Sequence, residues 1–261
     1  MKVVIMTDLE GVSGVNNPNW IQDESGDGYR FATERLMADL NAAVDGAYEG
    51  GATEVFVVDG HGGGHNFIRE KLHKDAKQIT ISEWQKLIQS RTVDAYMEVG
   101  CHAMAGTLNA FFDHTQSWDG WHNYYLNGER MGEIGQGAVF VGAFDVPMVM
   151  VSGDEAACDE AKNLLGEIAT AVVKHGRGWA SADCEDLAEA EMRIRMAARD
   201  GVQNAKKVAP CKIALPAEVK VEFSRADICE WVLSYCDAER LDARTIKKTV
   251  SEIQYYSDIL F

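Results

Sequence analysis

The chain has 261 residues, of which 46% are hydrophobic and 25% are charged, a composition typical of a globular protein long enough to bury a substantial core. Its formal net charge of −16 argues against nucleic acid and anionic membranes as partners, because binding to either requires basic patches. An acidic chain suits instead a metal cation or a substrate that carries an ammonium group.

The first predicted element is a strand at residues 3–6, within the N-terminal stretch MKVVIMTDLEG. This apolar run is too short for the core of a signal peptide or for a membrane span, so we expect a cytoplasmic protein. We also expect reduced thiols, because no two of the six cysteines form a CxxC pair. The cysteines are Cys101, Cys158, Cys184, Cys211, Cys229 and Cys236.

Three more apolar runs, at residues 55–58, 95–99 and 146–152, predict buried strands. Helical patterns lie between the first and second strands, before the fourth strand in GEIGQGAVFVGAF, and after it in DEAACDEAKNLLGEIA. Alternation of strands and helices predicts an α/β fold, with a largely parallel sheet and helices on both of its faces.

The pattern changes near residue 183, where a long polar-faced helix begins in DCEDLAEAEMRIRMAARDGVQNAKKV. A strand-like stretch, KIALPAEVKVEF, follows and contains Pro216, which suggests an edge strand or a bend. Two further helical patterns are predicted near residues 225–233 and 243–259. We therefore predict a smaller α+β portion at residues 183–261, after a metal-binding catalytic domain at residues 1–182.

Carboxylate and imidazole side chains follow several of the predicted strands. In open parallel sheets, functional residues lie just beyond the carboxyl ends of the strands. The first strand is followed by Asp8 and Glu10, the second by His61 and the third by His102, while Glu133 begins the helix before the fourth strand. These are ligand types that suit zinc and similar divalent ions, and a bridging carboxylate such as Asp8 could hold two of them.

Simpler roles remain open for each of these residues taken alone. The loop VVDGHGGGHN could bind a phosphate, hold a metal or only form a turn. A phosphate loop would carry a Lys and a Ser or Thr after the last glycine, whereas His65 and Asn66 follow here. Asp8 and Glu10 could cap a helix, and His102 could be a hydrogen-bonded core residue. Convergence at three strand ends favours the metal site.

A connection rich in aromatic residues, NAFFDHTQSWDGWHNYYLNGERMGE, carries His114. This histidine could reach a site as an acid, a base or a stabiliser of developing charge. Another segment, KHGRGWASAD, is expected to be a Gly-rich loop in which Lys174, His175 and Arg177 border the site or an interface. We expect no ligand role for three further histidines. His65 is expected in a glycine-rich turn, His73 on a polar helix and His122 among aromatic side chains.

Seven motifs together resemble the D-aminopeptidases of the dipeptide-operon type, the DppA family of zinc peptidases. They are TDLEGVSGV, VVDGHGGGHN, VGCHAMAG, DHTQS, YYLNGERMGEIG, DVPMVMVSGDEAA and VKVEF. They occur in the family's order and at its spacings, and they cover nearly the whole chain.

The resemblance implies two zinc ions per chain, with Asp8 bridging them and His114 as the catalytic histidine. The other implied zinc ligands are Glu10, His61, His102 and Glu133. It also implies a homo-oligomer, a decamer of two stacked pentameric rings whose inner chamber restricts substrates to short peptides.

We therefore predict a zinc-dependent aminopeptidase that removes N-terminal residues, such as D-Ala, from short peptides or amides by means of a metal-activated water. One alternative is a two-metal hydrolase of another amide or a phosphoester. Another is a non-catalytic metal-binding protein that forms rings.

Overall fold

The computed structural model describes residues 1–261, which form twelve strands and seven α-helices. In chain order, strands β1 to β12 are Lys2–Thr7, Glu54–Asp59, Ala76–Ile79, Ala95–Cys101, Trp121–Leu126, Glu129–Arg130, Met148–Asp154, Ala169–Gly178, Ser181–Cys184, Ala217–Phe223, Glu239–Arg240 and Thr245–Val250. Helices α1 to α7 are Asn19–Gln22, Asp27–Glu49, Ile81–Gln89, Glu133–Ala143, Glu155–Leu165, Leu187–Asn204 and Ala226–Leu233. Four 3₁₀ turns lie at His61–Gly63, Arg69–Lys71, Ala205–Lys207 and Tyr256–Ile259.

The larger sheet has seven strands in the order β3-β2-β1-β4-β7-β8-β9. All neighbours are parallel except β9, which returns antiparallel to β8. Every residue of β4 and β7 is buried, as expected for central strands covered on both faces. The predicted largely parallel sheet is confirmed.

Helices cover both faces of this sheet, and β1 shows how one strand serves both. Val3 and Ile5 pack in a core with α2 and α6, while Val4 belongs to the opposite core, which α3 and α4 complete. Successive side chains of a strand point to opposite faces, so an uninterrupted apolar run is needed where both faces are covered. The prediction of helices on both faces of the sheet is confirmed.

The smaller sheet is antiparallel, with the order β11-β12-β10-β5-β6. Its central strand, β10, alternates between buried and half-buried residues, and its buried side packs in the same core as α4. The division predicted between residues 182 and 183 stays a prediction. The smaller sheet takes β5 and β6 from before that point, and α6, which follows it, packs against α2.

Several local predictions are wrong. The segment 243–259 is not a helix, because Thr245–Val250 forms β12, which pairs with β10 and is rich in β-branched residues that favour a strand. Pro216 does not mark an edge strand, although it lies in the bend that it was expected to mark. It immediately precedes β10, a central strand, so its missing N–H removes no hydrogen bond from the ladder.

Two histidine-bearing segments also differ from expectation. The segment that carries Lys174, His175 and Arg177 is strand β8, not a loop. His73 lies between the turn at Arg69–Lys71 and β3, not on a helix. None of the helices combines the length and the hydropathy needed to cross a membrane.

Candidate active site

The candidate site lies where the parallel strands end. Strand β1 pairs in parallel with both β2 and β4, in a register that aligns Thr7 with Asp59 and with Val99. The residues that follow these three strands are therefore delivered to one edge of the sheet. Just beyond β1 the chain approaches β4 so closely that a Cβ on Gly11 would lie 1.8 Å from the carbonyl oxygen of Cys101.

The first group of potential ligands consists of Asp8, Glu10 and His61, whose ligand atoms lie within 4.8 Å of one another. His61 Nδ1 is 2.9 Å from Asp8 Oδ1 and 3.1 Å from Glu10 Oε2. The loop that carries His61 is held by Asn66, whose side-chain amide donates to the carbonyl oxygen of His61 (2.9 Å) and to Asp59 Oδ1 (2.8 Å). The glycine-rich loop thus presents one histidine to two carboxylates.

The second group consists of His102, His114 and Glu133, again with ligand atoms within 4.8 Å of one another. Glu133 Oε1 lies 3.3 Å from His102 Nε2 and 3.8 Å from His114 Nε2. The backbone N–H of Gln116 donates to the same carboxylate oxygen at 2.6 Å. Gln116 was not among the residues predicted from the sequence, and because it acts through its backbone, its residue type carried no signal.

Asp8 links the two groups. Its Oδ1 faces His61 at 2.9 Å, and its Oδ2 faces His102 Nε2 at 3.3 Å. A carboxylate with one oxygen directed at each of two ligand sets has the geometry required of a group shared by two cations.

Backbone carbonyls orient two of the imidazole rings. The Nδ1 atom of His102 lies 3.0 Å from the carbonyl oxygen of Ala103, and that of His114 lies 2.8 Å from the carbonyl oxygen of Phe112. An Nδ1–H donated to a carbonyl leaves Nε2 as the free nitrogen. In both histidines this nitrogen faces Glu133.

Burial and the charges of neighbouring side chains strongly shift the pKa values of the first group. Burial, together with repulsion from Glu10, raises the pKa of Asp8 to about 7. Burial also opposes ionisation of Glu10, but the charge and hydrogen bond of His61 outweigh it and hold the pKa of Glu10 well below its usual value. Burial lowers the pKa of His61, yet Glu10 and Asp8 raise it to about 12.

In the second group, the pKa values of the two histidines shift in opposite directions. The pKa of His102 stands well above its ordinary value, because the hydrogen bond and charge of Glu133 outweigh burial. The pKa of His114 is lowered by burial and by the neighbouring charge of His102. No Lys or Arg forms a salt bridge with Asp8, Glu10 or Glu133. The site therefore concentrates negative charge that only histidines, or a bound cation, can balance.

Lys174 holds the backbone of the segment that carries Glu10. It is completely buried, and its Nζ donates to the carbonyl oxygens of Glu10, at 2.6 Å, and of Val15. Burial lowers the pKa of Lys174 to about 8. This lysine was expected in a loop bordering the site and proves instead to hold the segment that carries Glu10. Arg177 is exposed and pairs with Asp183.

Two cavities meet at the ligand groups. One, of about 320 Å³, is lined by Asp8, His102 and Glu133 at one end and otherwise mainly by apolar and aromatic residues. The other, of about 430 Å³, is more polar and is lined by the whole first ligand group and by His114 and Glu133 of the second. A substrate can therefore approach the ligands from two sides.

The chain is similar to known proteins over its whole length, not only in the seven motifs. A family model described as D-aminopeptidase matches residues 1–260. The chain belongs to this D-aminopeptidase family. The predicted family and its enzyme class, an aminopeptidase hydrolase, are confirmed.

A curated relative and a solved structure, both of a Bacillus subtilis D-aminopeptidase, are similar to the chain over its full length. A protein named D-aminopeptidase from Bacillus subtilis (strain 168) is 28% identical over 258 residues, which are 98% of this chain and 91% of that protein. A solved structure is described as the Zn-dependent D-aminopeptidase DppA from Bacillus subtilis, a self-compartmentalizing protease. It superposes with a TM-score of 0.91 at 26% identity and covers 100% of this chain and 96% of that one.

The structure brings all six predicted site residues together. They are Asp8, Glu10, His61, His102, His114 and Glu133. Their individual roles stay predictions, as does the choice between ligand and catalytic group for His114. The residues assigned no ligand role lie outside both groups: His65, His73 and His122. His122 is exposed on β5, so its predicted packing among aromatic residues is wrong.

Proposed function

We propose that the protein is a zinc-dependent aminopeptidase that removes N-terminal D-amino acids, D-Ala among them, from short peptides or amides. Family membership and the similarity to a Zn-dependent D-aminopeptidase support this proposal. The observation that carries it is the position of Asp8, which directs one carboxylate oxygen to each of two ligand groups.

The donor set fits zinc. Imidazole nitrogens and carboxylate oxygens are ligands that zinc accepts, and Nδ1 of His61 and Nε2 of His102 already face carboxylates. We propose two ions per chain. Asp8, Glu10 and His61 would hold one of them, and Asp8 would share the second with His102 and Glu133.

When bound, zinc supplies a Lewis acid that polarises the scissile carbonyl and lowers the pKa of a water molecule. His114 would supply a group that transfers protons during the reaction. With Nδ1 held by the carbonyl oxygen of Phe112, its Nε2 can accept a proton from the attacking water, or donate a hydrogen bond to the oxyanion once protonated. Its lowered pKa favours the neutral, proton-accepting form before the reaction.

The site also suits a substrate with a free amino terminus. The α-amino group of the substrate would bind to a zinc ion through its neutral nitrogen, or to an acidic neighbour of the ligand groups. A substrate blocked at its amino terminus lacks this contact, which is the basis for aminopeptidase selectivity.

We further propose that the chain forms a homo-oligomer, a decamer of two pentameric rings that admits only short peptides. The relative described as self-compartmentalizing supports this assembly. So do large apolar side chains left exposed in the monomer, such as Trp231 at 66% and Tyr235 at 56%, because apolar patches mark interaction surfaces. Sedimentation velocity should give ten times the chain mass of 28.8 kDa. The cytoplasmic location stays a prediction.

The test of the activity is a panel of D- and L-aminoacyl p-nitroanilides together with p-nitrophenyl phosphate. Each is assayed with protein as purified, after chelation, and after zinc is restored. We expect D-selective anilide hydrolysis that disappears on chelation and returns with zinc. Hydrolysis of the phosphoester alone would favour the two-metal hydrolase of another substrate, and bound zinc without any turnover would favour the non-catalytic protein.

The basic residues disfavour the phosphoester alternative. A phosphoesterase usually places Arg or Lys beside its metals to stabilise the transferred group. Lys174 is committed to two backbone carbonyls and Arg177 to Asp183. Neither lines the cavities at the ligand groups.

A further inference from the structure

The cavity of about 320 Å³ beside the second ligand group has a composition that suggests a specific occupant. Asp8, His102 and Glu133 line it at the ligand groups. Its other walls are mainly apolar and aromatic, and they include the rings of Trp84, Tyr96 and Tyr256, the apolar residues Met6, Ile81 and Leu260, and one further carboxylate, that of Glu98. The volume is that of a small-molecule site.

Glu98 is a buried carboxylate without a cationic partner. It lies on β4, is 7% exposed and forms no salt bridge with any Lys, Arg or His. Its Oε1 accepts a hydrogen bond from the hydroxyl of Tyr96 at 2.8 Å, and its Oε2 accepts a weak one from Cys101 Sγ at 3.5 Å. Burial raises the pKa of Glu98 to about 8, despite these two hydrogen bonds, so the group is largely protonated at neutral pH until a cation binds beside it.

Helix α4 leaves room for this carboxylate. A Cβ built on Gly137 would lie 2.2 Å from Glu98 Oε1, so a larger residue at that position would displace the carboxyl group. Tyr96 and Glu98 are two residues apart on one strand and therefore share a face of β4. The carboxylate is thus held by a tyrosine hydroxyl on one side and a helix backbone on the other.

A buried carboxylate is costly unless a cation or further hydrogen-bond donors reach it. The surrounding walls favour a cation with an aliphatic stem, because aromatic rings attract cations and apolar side chains pack against methylene groups. A basic amino-acid side chain combines these two features. An alanine side chain, by contrast, has a single methyl group and cannot span the cavity from the ligand groups to Glu98.

We propose, on the basis of the proposed aminopeptidase function, that this cavity receives the side chain of the substrate's N-terminal residue and that Glu98 selects a basic one. The ammonium or guanidinium group binds the Glu98 carboxylate, the stem lies among Trp84, Tyr96 and Tyr256, and the scissile bond lies at the ligand groups. Glu98 is then a residue that determines specificity, and it takes no part in the bond cleavage.

The test compares D-Lys-p-nitroanilide with D-norleucine-p-nitroanilide, which has a similar stem but no ammonium group. The zinc-loaded protein should prefer D-Lys by about tenfold or more in kcat/KM, as expected of a site built to pair with a polar group. Glu98→Gln should bring this ratio close to one while D-norleucine hydrolysis is retained. Glu160→Gln, which changes another buried glutamate outside the cavity, is the matched control and should keep the wild-type ratio.

The outcomes separate this proposal from the proposed function. Turnover of D-Ala-p-nitroanilide with no preference for D-Lys, or a preference that Glu98→Gln leaves intact, would overturn the role of Glu98 and leave the aminopeptidase intact. Absence of any anilide hydrolysis would refute the aminopeptidase and, with it, the assignment of the cavity to a substrate side chain.

A binding measurement tests the cation preference without turnover. Calorimetry on the zinc-loaded protein should show n-butylammonium binding about tenfold more tightly than butan-1-ol, a difference that Glu98→Gln abolishes. Zinc loading matters here because the ligand carboxylates would otherwise attract the same ammonium group. Equal binding of the two probes, or an ammonium preference that survives in Glu98→Gln, would contradict a cation site at Glu98.

Discussion

The imidazole ring of His102 stacks on that of His114, with ring centroids 3.8 Å apart and planes inclined by 11°. Each ring has its Nδ1 atom beside a backbone carbonyl and its Nε2 atom toward Glu133. The two histidines are therefore held side by side with the same nitrogen presented to the site. Their difference lies in distance, since His102 Nε2 is 3.3 Å from Glu133 Oε1 and His114 Nε2 is 3.8 Å from it.

Replacement of His114 by alanine should separate a catalytic role from a ligand role. We expect His114→Ala to retain the zinc content of the wild-type protein and to lose about 10²–10³ in kcat, the usual cost of removing a stabilising donor. Metal analysis and anilide kinetics on the same preparation provide the measurement. Loss of one zinc per chain would show that His114 is a ligand, and full activity would remove it from the mechanism.

Replacement of Asp8 should remove both ions. Because its two oxygens face His61 and His102, Asp8→Ala weakens both ligand groups at once, whereas Glu133→Gln weakens only the second. We expect zinc contents near zero for Asp8→Ala and near one for Glu133→Gln, measured by mass spectrometry after dialysis against a weak chelator. Retention of one tightly bound ion in Asp8→Ala would argue against a shared carboxylate.

Lys174 should contribute to stability through the backbone that it holds. Lys174→Met leaves the buried carbonyl oxygens of Glu10 and Val15 without their donor, at a cost of about 1–3 kcal/mol for each unsatisfied group. The free energy of unfolding of the metal-free protein in urea is the quantity to measure. Lys206→Met, at an exposed position, is the control and should change it by no more than about 0.5 kcal/mol. Equal effects of the two substitutions would contradict this role.

Glu160 should make stability depend on pH. Burial raises its pKa to about 7, one of its carboxylate oxygens accepts from the N–H of Met104 at 2.7 Å, and the other has no partner. The folded state therefore holds a proton that the unfolded state releases near pH 4.5. Glu160 therefore does not change the free energy of unfolding below that pH, and it lowers this free energy progressively as the pH rises toward 7.

Glu160→Gln removes this dependence. Its free energy of unfolding relative to wild type should increase between pH 5 and pH 7 by about 1–3 kcal/mol, and then remain level. Urea denaturation of both proteins across this range measures the difference. A difference that stays constant with pH would show that Glu160 ionises normally in the folded protein.

Much of the larger sheet and of the site can be predicted from the sequence because both depend on local patterns. Uninterrupted apolar runs such as that of β1 predict strands buried on both faces, and the polar residues that follow such strands predict the edge of the sheet where those residues gather. Asp8, His61 and His102 are found in this way. Glu98 also carries a signal in the sequence, since a single carboxylate stands inside the buried strand AYMEVGC.

The features that the sequence does not predict depend on contacts between segments that are distant in the chain. Lys174 has an ordinary place in a strand, and only the tertiary fold brings it beneath Glu10. The smaller sheet pairs β5 with β10, about a hundred residues later, so the aromatic segment at Trp121–Leu126 gives little indication of being a strand when considered alone. His114 lies on an irregular connection that is fixed by Phe112, whose N–H donates to the carbonyl oxygen of Trp179, and no periodicity predicts such a position.

The most direct test of the account is a zinc titration of the metal-free protein, during which hydrolysis of D-Ala-p-nitroanilide and of its L-isomer is followed. We predict that activity on the D-isomer rises to a plateau at two zinc ions per chain, while the L-isomer is hydrolysed far more slowly throughout. A plateau at one ion per chain, or faster hydrolysis of the L-isomer, would contradict a two-zinc D-aminopeptidase built around Asp8.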